Sequence, residues 1–541
     1  MPKLVLRSCL LLGLLAVSAQ AVVPPGFDDA LVTDEVDGPT ALAFTPDRRL
    51  LITTQGGSLR IFQNGTLLGT AALTFPSNQI CTESERGLLG VAVDPEFGLP
   101  GDHNYIYLFY TAEKSSPSRC VNRVSRFTLP AGNVIDPATE LILVDEMPSP
   151  AGNHNAGDVQ FGNDGYLYIS IGDGGCDYAN NSGCAGSNDA ARDEHVLTGK
   201  ILRITKTGDI PPSNPFQGAG TARCNVTGST TPGNKCQETF AWGLRNPFRI
   251  AFDPNTFATA RFFINDVGQG AWEEIDLGQA GADYGWNCRE GAHTNNTGGP
   301  CSSTPAGMVD PIFEYNHTAT GCGSITGGAF VPANLWPPAT YNAGYLYSDF
   351  VCGKIFLLKP VAGGGSYTST EFATDLGGNS AVHMIFGPFG SGQALYYTTY
   401  AGGGQVRRIS FVVPSAPQDF FTLTPCRVVD TRNPNGPLGG PALTGNVLRN
   451  FDVRGACGIP ATVESLAVNV TLVNPTFSGF LRIYPAGNSA PVASILNFSA
   501  GQTRNNNAIV PLNNGSFSAA AAMQGPNSTA HLIVDVVGYF E

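Results

Sequence analysis

The chain has 541 residues, which is enough for two or more domains and for a large apolar core. Its 30 Lys and Arg residues against 43 Asp and Glu residues give a formal charge of -13, and since no basic block occurs, this balance disfavours nucleic-acid binding. The 66 glycines, the 39 prolines and a charged fraction of 13% favour strands and turns over helices.

The first residues, MPKLVLRSCLLLGLLAVSAQA, combine a basic start, a short apolar run and an Ala-Gln-Ala ending. This pattern predicts a signal peptide over residues 1–21, with a mature chain from Val22. No later stretch approaches ~20 uninterrupted apolar residues, so no membrane span is predicted. We therefore expect a secreted or periplasmic protein.

Thirteen cysteines are spread along the chain, and Cys9 falls in the predicted signal peptide. The even remainder and the lack of tight CxxC or HxxxH clusters favour disulfides over zinc ligation. Spacing leaves the connectivity open but suggests pairing between sequence neighbours. The suggested pairs are Cys81/Cys120, Cys176/Cys184, Cys224/Cys236, Cys288/Cys301, Cys322/Cys352 and Cys426/Cys457.

One pattern recurs loosely across the predicted first domain, residues 22–411: an alternating apolar strand, a turn with Pro, Asp or Gly, and a second strand rich in aromatic residues. Hairpins that cannot bury their faces alone are typical of a β-propeller, and a β-sandwich gives similar local signals. We favour the propeller because the loops between repeats carry the unusual residues. The copies start at residues 40, 88, 156, 245 and 380.

The pattern stops at a Pro-containing linker, residues 412–419. Beyond it, residues 420–541 alternate again in segments such as SLAVNVTLV and HLIVDVV, but without the repeat. These strands predict a second, smaller, sandwich-like all-β domain.

Candidate chemistry lies in the loops of the first domain. His154, in the segment NHNAGDVQF, precedes a strand and either hydrogen-bonds its own turn or acts as a general base. Arg245 carries a planar guanidinium suited to carboxylates and quinone oxygens, or is a surface arginine, and Asn246 follows it.

The segment DVGQGAWEEIDL joins a Gly-rich turn to two acids, Glu273 and Glu274. Such a turn beside carboxylates supplies oxygen donors for Ca²⁺, although exposed paired acids are also ordinary. Tyr284 and Trp286 follow in DYGWNCREG, where packing is one role and stacking on a ring-shaped substrate is another.

Seven segments in order resemble the soluble quinoprotein glucose/sorbosone dehydrogenases over roughly residues 30 to 410: ERGLLGVAVDPEF, NHNAGDVQFGNDGYLYISIGDGG, GKILRI, WGLRNPFRIAFDP, DVGQGAWEEIDL, DYGWNCREG and GSITGGAFV. The resemblance implies a six-bladed β-propeller that binds pyrroloquinoline quinone (PQQ) and Ca²⁺ in its mouth. It also implies oxidation of an aldose or related alcohol, with transfer to an unknown electron acceptor.

The same resemblance assigns roles to individual residues. His154 matches the base that takes the hydroxyl proton while hydride passes to the quinone, and Glu273 matches an acid beside it. Arg245 and Asn246 match the pair against the cofactor, where Arg245 stabilises the developing negative oxygen. Further matches are Glu85 near the cofactor, Gly268 and Gln269 in a calcium-ligating turn, and Glu274 with Tyr284 in a second calcium-binding pair.

The chain departs from the family where a late basic cluster holds the carboxylates of the quinone. The corresponding stretch, LGGNSAVHMIFG, offers only His383. Each lost charge-assisted contact costs roughly 1.5 to 3 kcal/mol, so cofactor binding is expected to be weak. The Cys-containing loops are also similar to the hedgehog-interacting-protein-like branch, which gives an alternative function: a secreted, non-catalytic propeller that binds a ligand or glycan.

The segments TPCRVVDTR, CGIP and HLIVDVVGYF resemble an accessory domain found on exported bacterial proteins. This resemblance implies association with a surface glycan, and a domain that merely stabilises or spaces is the alternative.

Overall fold

The structure is a computed structural model in which two compact units divide the chain, Met1–Val412 and Val413–Glu541. Most of the predicted signal peptide and the centre of the predicted linker lie outside the described residues. The described residues are 21–101, 103–115, 118–175, 190–256, 259–295, 301, 307–377, 379–390, 392–412, 418–488, 490–491, 493–525 and 527–541.

Within its described residues, the first unit contains six antiparallel sheets of four or five strands, numbered here in chain order. Sheet 1 comprises Pro39–Phe44, Leu50–Thr54, Ser58–Gln63, Thr66–Leu67 and Leu73–Thr74. Sheet 2 comprises Leu88–Val93, Tyr105–Ser115, Ser118–Thr128 and Leu141–Pro148. Sheet 3 comprises Val159–Phe161, Leu167–Ile171, Lys200–Ile204 and Thr239–Trp242.

The remaining three large sheets follow the same order. Sheet 4 comprises Pro247–Phe252, Phe262–Asp266, Trp272–Leu277 and Phe313–Asn316. Sheet 5 comprises Ile325–Phe330, Tyr345–Asp349, Lys354–Pro360 and Tyr367–Ala373. Sheet 6 comprises Ser380–Phe389, Gly392–Thr399, Gln405–Phe411 and the N-terminal strand Phe27–Thr33. Short elements are the strand pairs Thr221–Ala222/Lys235–Cys236 and Arg289–Glu290/His293–Thr294, the helix His317–Thr320, and the 3-10 turns Pro137–Thr139, Ala339–Tyr341 and Ala401–Gly403.

The six sheets form a closed ring. The first strand of each sheet contacts the first strands of both neighbouring sheets, and that of sheet 6 contacts that of sheet 1. Between each pair of neighbours lies one apolar cluster to which both sheets contribute. Strands are therefore buried on both faces, which explains apolar runs such as Leu167–Ile171, all of whose residues are buried.

The inner strands approach one another closely. A Cβ added at Gly90, on the first strand of sheet 2, would lie 2.1 Å from the carbonyl oxygen of Gly157, which precedes the first strand of sheet 3. A side chain at Gly90 would push the two sheets apart, so a glycine is required here for the ring to close.

The second unit contains two sheets that share one apolar core. One comprises Phe420–Asp430, Leu443–Thr444, Ser465–Val473, Arg504–Pro511 and Thr529–Phe540. The other comprises Arg449–Asp452, Gly479–Pro485, Leu496–Phe498 and Ser516–Met523, and a 3-10 turn spans Ala456–Gly458. The prediction of an all-β protein is therefore confirmed.

Five of the six suggested cysteine pairs form disulfides: Cys81–Cys120, Cys224–Cys236, Cys288–Cys301, Cys322–Cys352 and Cys426–Cys457. The sixth suggested pair, Cys176/Cys184, lies outside the described residues. In the part of the chain that the structure describes, no helix has the length and apolar character needed to cross a membrane.

A buried ion pair joins the two ends of the ring. Asp29 lies on the N-terminal strand of sheet 6, and its Oδ2 accepts a hydrogen bond from Arg407 Nη2 at 2.8 Å. The hydroxyl of Tyr397 donates to Oδ1 of the same carboxylate at 2.9 Å. Both charged side chains are at least 95% buried, so each depends on the opposite charge of the other to offset its lost hydration.

We expect Arg407→Met to lower the free energy of unfolding of the first unit by about 3 to 5 kcal/mol, because it leaves Asp29 buried without its cation. Denaturant unfolding measures this loss. The matched control is Arg408→Met, which removes a partly buried guanidinium stacked on Phe389 and should cost about 1 kcal/mol or less. Equal losses in the two variants would contradict the role of the ion pair.

Candidate active site

A central cavity of about 190 Å³ opens where the loops of several sheets converge. Its lining is mostly small, polar or aromatic, and its charged members are Glu85 and Arg249. The full lining is Thr40, Gln55, Ser84, Glu85, Leu89, Ala156, Phe248, Arg249, Ser324, Thr326, Phe350, Val382 and Tyr400. A site on the ring axis can therefore draw residues that are distant in sequence.

His154 lies on the loop that leads into the first strand of sheet 3, between two residues of the cavity lining: it is bonded to Glu85 and precedes Ala156 by two positions. Its backbone N–H donates to Glu85 Oε2 at 2.8 Å, and its φ of 52° is in the left-handed region. The side chain is 5% exposed, and its Nδ1 lies 2.7 Å from Asp173 Oδ1. The loop thus fixes the imidazole against a carboxylate instead of leaving it in solvent.

Asp173 fixes the orientation of the imidazole. It follows the second strand of sheet 3, it is fully buried, and its Oδ1 also accepts a hydrogen bond from Gly175 N at 2.9 Å. Its Oδ2 accepts from the indole Nε1 of Trp286, also at 2.9 Å. Because the carboxylate accepts from Nδ1–H, the lone pair of His154 is on Nε2, for which no hydrogen bond is recorded among the described residues.

Arg245 reaches the same place from the loop before sheet 4. Its backbone carbonyl accepts from Asp173 N at 2.8 Å, and its guanidinium lies 5.5 Å from the ring centre of Trp286. Its Nε donates to Gln269 Oε1 and its Nη1 to the carbonyl of Val267, both at 2.9 Å. His154 and Arg245 are therefore brought together through Asp173 and Trp286.

The side chain of Asn246 links the His154 loop to the loop before sheet 4. Its Oδ1 accepts a hydrogen bond from the backbone N–H of Ala156 at 3.0 Å, which ties the His154 loop to sheet 4. The backbone N–H groups of Arg245 and Asn246 donate to the carboxylate of Asp266. Burial of this carboxyl raises the pKa of Asp266 to about 7.

The hydrogen bonds of the Glu273 carboxylate lead to His317 and Ile325, not to the predicted partner His154. Glu273 is buried on the third strand of sheet 4, where Oε1 is 2.7 Å from His317 Nε2 and Oε2 accepts from Ile325 N at 2.9 Å. Burial raises the pKa of Glu273, and the hydrogen bond to Glu273 raises the pKa of His317. The carboxylate that contacts the candidate base is Asp173.

The predicted calcium-ligating turn at Gly268 and Gln269 is organised around a carboxylate of the chain itself. Glu290 Oε1 accepts from four consecutive backbone N–H groups, those of residues 269–272, at 2.7 to 3.1 Å. The guanidinium of Arg245 occupies the other side of the turn, bonded to Gln269 and Val267. A cation there would face a neighbouring positive charge.

Glu274 belongs to a row of acids across sheet 4, of which Asp266, Glu274 and Asp276 are buried and Glu314 is partly buried. Asp266 and Glu314 lie directly opposite it on the two neighbouring strands, and Asp276 follows two residues later on the same face. Glu274 Oε2 and both carboxylate oxygens of Asp276 are buried without a hydrogen-bond partner in the described part of the chain. Burial and the neighbouring acids raise the pKa of both groups well above their ordinary values.

Tyr284 lies near these acids, but its hydroxyl is already used. It donates to the carbonyl of Leu277 at 2.6 Å and accepts from Gln279 N at 3.1 Å. Among the described residues, the groups of three ligand atoms within 4.8 Å of one another all include two disulfide cysteines. The acids of sheet 4 must therefore move together before they can hold one cation.

His383, the only candidate cation of the late stretch, is buried on the ring axis. Its Nδ1 accepts a hydrogen bond from the backbone N–H of Leu42, and Nε2 lies 4.0 Å from Asp158 Oδ1. Burial, together with the nearby charge of Arg249, lowers the pKa of His383 well below its ordinary value. His383 is therefore neutral and supplies no charge to a ligand in the cavity.

A family model described as Glucose / Sorbosone dehydrogenase matches residues 36–342. The aldose sugar dehydrogenase YliI of Escherichia coli (strain K12) is 30% identical over 328 residues, covering 59% of this chain and 77% of that protein. The HIPL2 protein of Arabidopsis thaliana is 27% identical over 384 residues, covering 59% of this chain and 51% of that protein. The chain thus spans about half the length of this plant relative.

Solved structures give the same fold. The soluble aldose sugar dehydrogenase from Escherichia coli in its apo-form matches with a TM-score of 0.57 at 24% sequence identity. The match covers 71% of this chain and 99% of that chain. At this identity, the likeness concerns the fold.

Because the pKa of His317 is raised, the folded state holds its proton more tightly than the unfolded state. The stability contributed by the proton on His317 is complete below about pH 6.5 and is lost as pH rises through the folded pKa of His317. We expect the melting temperature to fall above pH 6.5, and to fall less in His317→Gln. The control, His195→Gln, changes a partly buried histidine that forms no ion pair in the described part of the chain. In this control the melting temperature should fall with pH as steeply as in the wild type. An equally steep fall in all three proteins would contradict a stabilising role for the His317 proton.

Proposed function

Because the chain belongs to the glucose/sorbosone dehydrogenase family, we propose that it is an exported oxidoreductase that oxidises the hydroxyl-bearing carbon of an aldose or related alcohol. We interpret the six sheets of the closed ring as the blades of a six-bladed propeller. We propose that the central cavity at its axis is the substrate site.

One observation carries this proposal: the contact between His154 Nδ1 and the buried carboxylate of Asp173. A carboxylate that accepts from Nδ1–H leaves Nε2 as a proton acceptor and stabilises the imidazolium formed after proton transfer. His154 Nε2 takes the proton of the substrate hydroxyl. The carbon-bound hydrogen leaves as hydride to a two-electron acceptor, so that the alcohol becomes a carbonyl.

Arg245 stabilises the negative oxygen that develops when the hydroxyl proton leaves. Arg245 as a whole is 8% exposed, and its guanidinium is held by Val267, Gln269 and Trp286. The guanidinium is therefore oriented before the substrate binds. Fixed donors in a water-poor site stabilise charge more than mobile ones in solvent. Glu273 has no direct role in this step, because its carboxylate is directed to His317.

PQQ, the cofactor that the family resemblance implies, does not fit the charge of this cavity. It carries three carboxylates, whereas the lining offers one guanidinium, that of Arg249, together with the carboxylate of Glu85. His383 is neutral, and Arg407 is paired with Asp29. We therefore assign no step to PQQ, and the neutral lining favours an acceptor without carboxylates.

The same lining supports a second candidate function, a secreted propeller that binds a neutral sugar or glycan without oxidising it. Hydroxyl and amide side chains at the cavity, such as Thr40, Gln55 and Ser324, suit a polyhydroxylated ligand. This candidate requires no acceptor and no base.

Calcium fits the row of acids on sheet 4 by the chemistry of its donors. Carboxylate oxygens are the ligands that Ca²⁺ prefers, and Glu274 and Asp276 present buried oxygens without partners. Asp266 and Glu314 would complete the set after the side chains approach one another. Bound there, the ion would supply the positive charge that these carboxylates lack.

The second unit, residues 413–541, is proposed as an accessory domain that associates with a surface glycan. The disulfides Cys81–Cys120 and Cys426–Cys457, one from each unit, are consistent with export to an oxidising compartment.

His154→Ala is expected to lower aldose-dependent reduction of an uncharged quinone by about 10²- to 10⁴-fold, because it removes the proton acceptor. The control, His103→Ala, removes a partly exposed imidazole beside Glu96 and should keep the wild-type rate. The assay is run with and without PQQ and Ca²⁺. A full rate in His154→Ala would refute the base, reduction that requires PQQ would refute the charge argument, and wild-type sugar binding without reduction would favour the second candidate.

We expect Ca²⁺ to raise the melting temperature of the wild-type protein and a chelator to lower it. At a concentration 100 times its dissociation constant, the ion should contribute about 2.7 kcal/mol. Asp276→Asn should reduce this response because it removes a charged ligand, whereas Asp209→Asn, at an exposed position, should not. A melting temperature that is insensitive to both Ca²⁺ and the chelator would contradict the proposed site.

A further inference from the structure

Trp286 connects the two halves of the candidate active site. Its indole Nε1 donates to Asp173 Oδ2 at 2.9 Å, and Asp173 Oδ1 in turn contacts His154. The ring of Trp286 lies under the guanidinium carbon of Arg245, 5.5 Å from the ring centre. One side chain therefore touches both the carboxylate that orients the base and the cation beside it.

The backbone around Trp286 is tied to the loop that carries Arg245. Trp286 N donates to the carbonyl of Gly243 at 2.8 Å, and Tyr284 N donates to the carbonyl of Trp242 at 3.0 Å. The indole is 3% exposed, so it has little freedom to rotate within this frame. Its position is set by main-chain bonds that are independent of any ligand.

We propose that Trp286 is a positioning residue that holds His154 as the Nδ1–H tautomer through Asp173 and orients Arg245 through its ring face. This inference rests on the proposed function for its catalytic meaning. The tautomer itself can be measured whether or not the protein oxidises a sugar.

The two oxygens of Asp173 have different partners, and this difference carries the argument. Oδ1 accepts from His154 and from Gly175 N, whereas the donor recorded for Oδ2 is Trp286. Loss of the indole N–H leaves a fully buried carboxylate oxygen without this hydrogen bond. The free-energy penalty of the unsatisfied oxygen is larger than the net stabilisation that the hydrogen bond provides. The carboxylate then rotates to find a new donor and releases the imidazole, because such outer contacts fix the tautomer of a histidine.

A packing role for Trp286 makes a different prediction. Phenylalanine retains an aromatic ring, most of the buried area and a face for the guanidinium of Arg245, but it has no N–H. If Trp286 only fills space, Trp286→Phe should leave the tautomer of His154 unchanged.

The test is ¹⁵N NMR of the full chain with ¹⁵N-labelled histidine. The chain contains seven histidines. His154→Ala identifies the signals of His154. In the wild type we expect a protonated Nδ1 and an unprotonated Nε2 once the imidazole is neutral. In Trp286→Phe we expect both tautomers, with kcat for sugar oxidation lowered roughly 10- to 100-fold and KM little changed.

Trp336→Phe is the matched control. Trp336 is 2% exposed, and its Nε1 has no hydrogen-bond partner among the described residues, so the substitution removes a buried indole without breaking a bond. We expect the His154 signals to keep their wild-type values in this variant. A tautomer change of equal size in both variants would overturn the inference, since it would indicate general loosening of the fold.

A measurement on the wild type keeps the inference testable if Trp286→Phe does not fold. The indole proton of Trp286 should exchange slowly with solvent, and its resonance should shift when Asp173 is replaced by Asn. An indole proton that exchanges freely, or a single unchanged tautomer in Trp286→Phe, would overturn the positioning role. If the tautomer changes as expected while the wild type oxidises no sugar, the positioning role holds and the proposed activity fails.

Discussion

The buried carboxylate of Asp173 is the constraint on which the candidate site depends. A carboxylate with no solvent exposure is stable only when donors satisfy its oxygens, and here those donors are His154, Gly175 N and Trp286. The same three contacts fix the imidazole of His154, close the turn at residues 173–175 and hold the indole of Trp286. The chemistry proposed for His154 therefore follows from what the protein must do to bury one negative charge.

The closed ring of sheets explains how these groups meet. His154 precedes the first strand of sheet 3 and Asp173 follows the second, so both lie at one end of one hairpin. Arg245 and Trp286 come from segments on either side of the early strands of sheet 4, the neighbouring sheet. Because successive inner strands contact one another around the axis, loops at one end of neighbouring sheets converge without a direct link in sequence.

Much of the strand pattern could be predicted, because alternating apolar residues in HPHP order report the faces that a strand buries. Sheet 5 was not among the predicted hairpins, since its first strand, Ile325–Phe330, contains two adjacent glycines and no alternation. The sequence identifies His154 as a candidate but not Asp173, because only the hairpin geometry brings Asp173 to His154. The sequence places Glu273 next to Glu274 after a Gly-rich turn, but it does not identify His317, on a later helix, as the partner of Glu273.

The measurement that tests the account most directly is a double-mutant cycle on sugar oxidation with His154→Ala and Asp173→Asn. If the carboxylate acts only by orienting and stabilising the imidazole, it has no effect once the imidazole is gone. The account predicts that the double variant is as slow as His154→Ala alone. Losses that multiply, so that Asp173→Asn slows the His154→Ala protein as much as it slows the wild type, would contradict it.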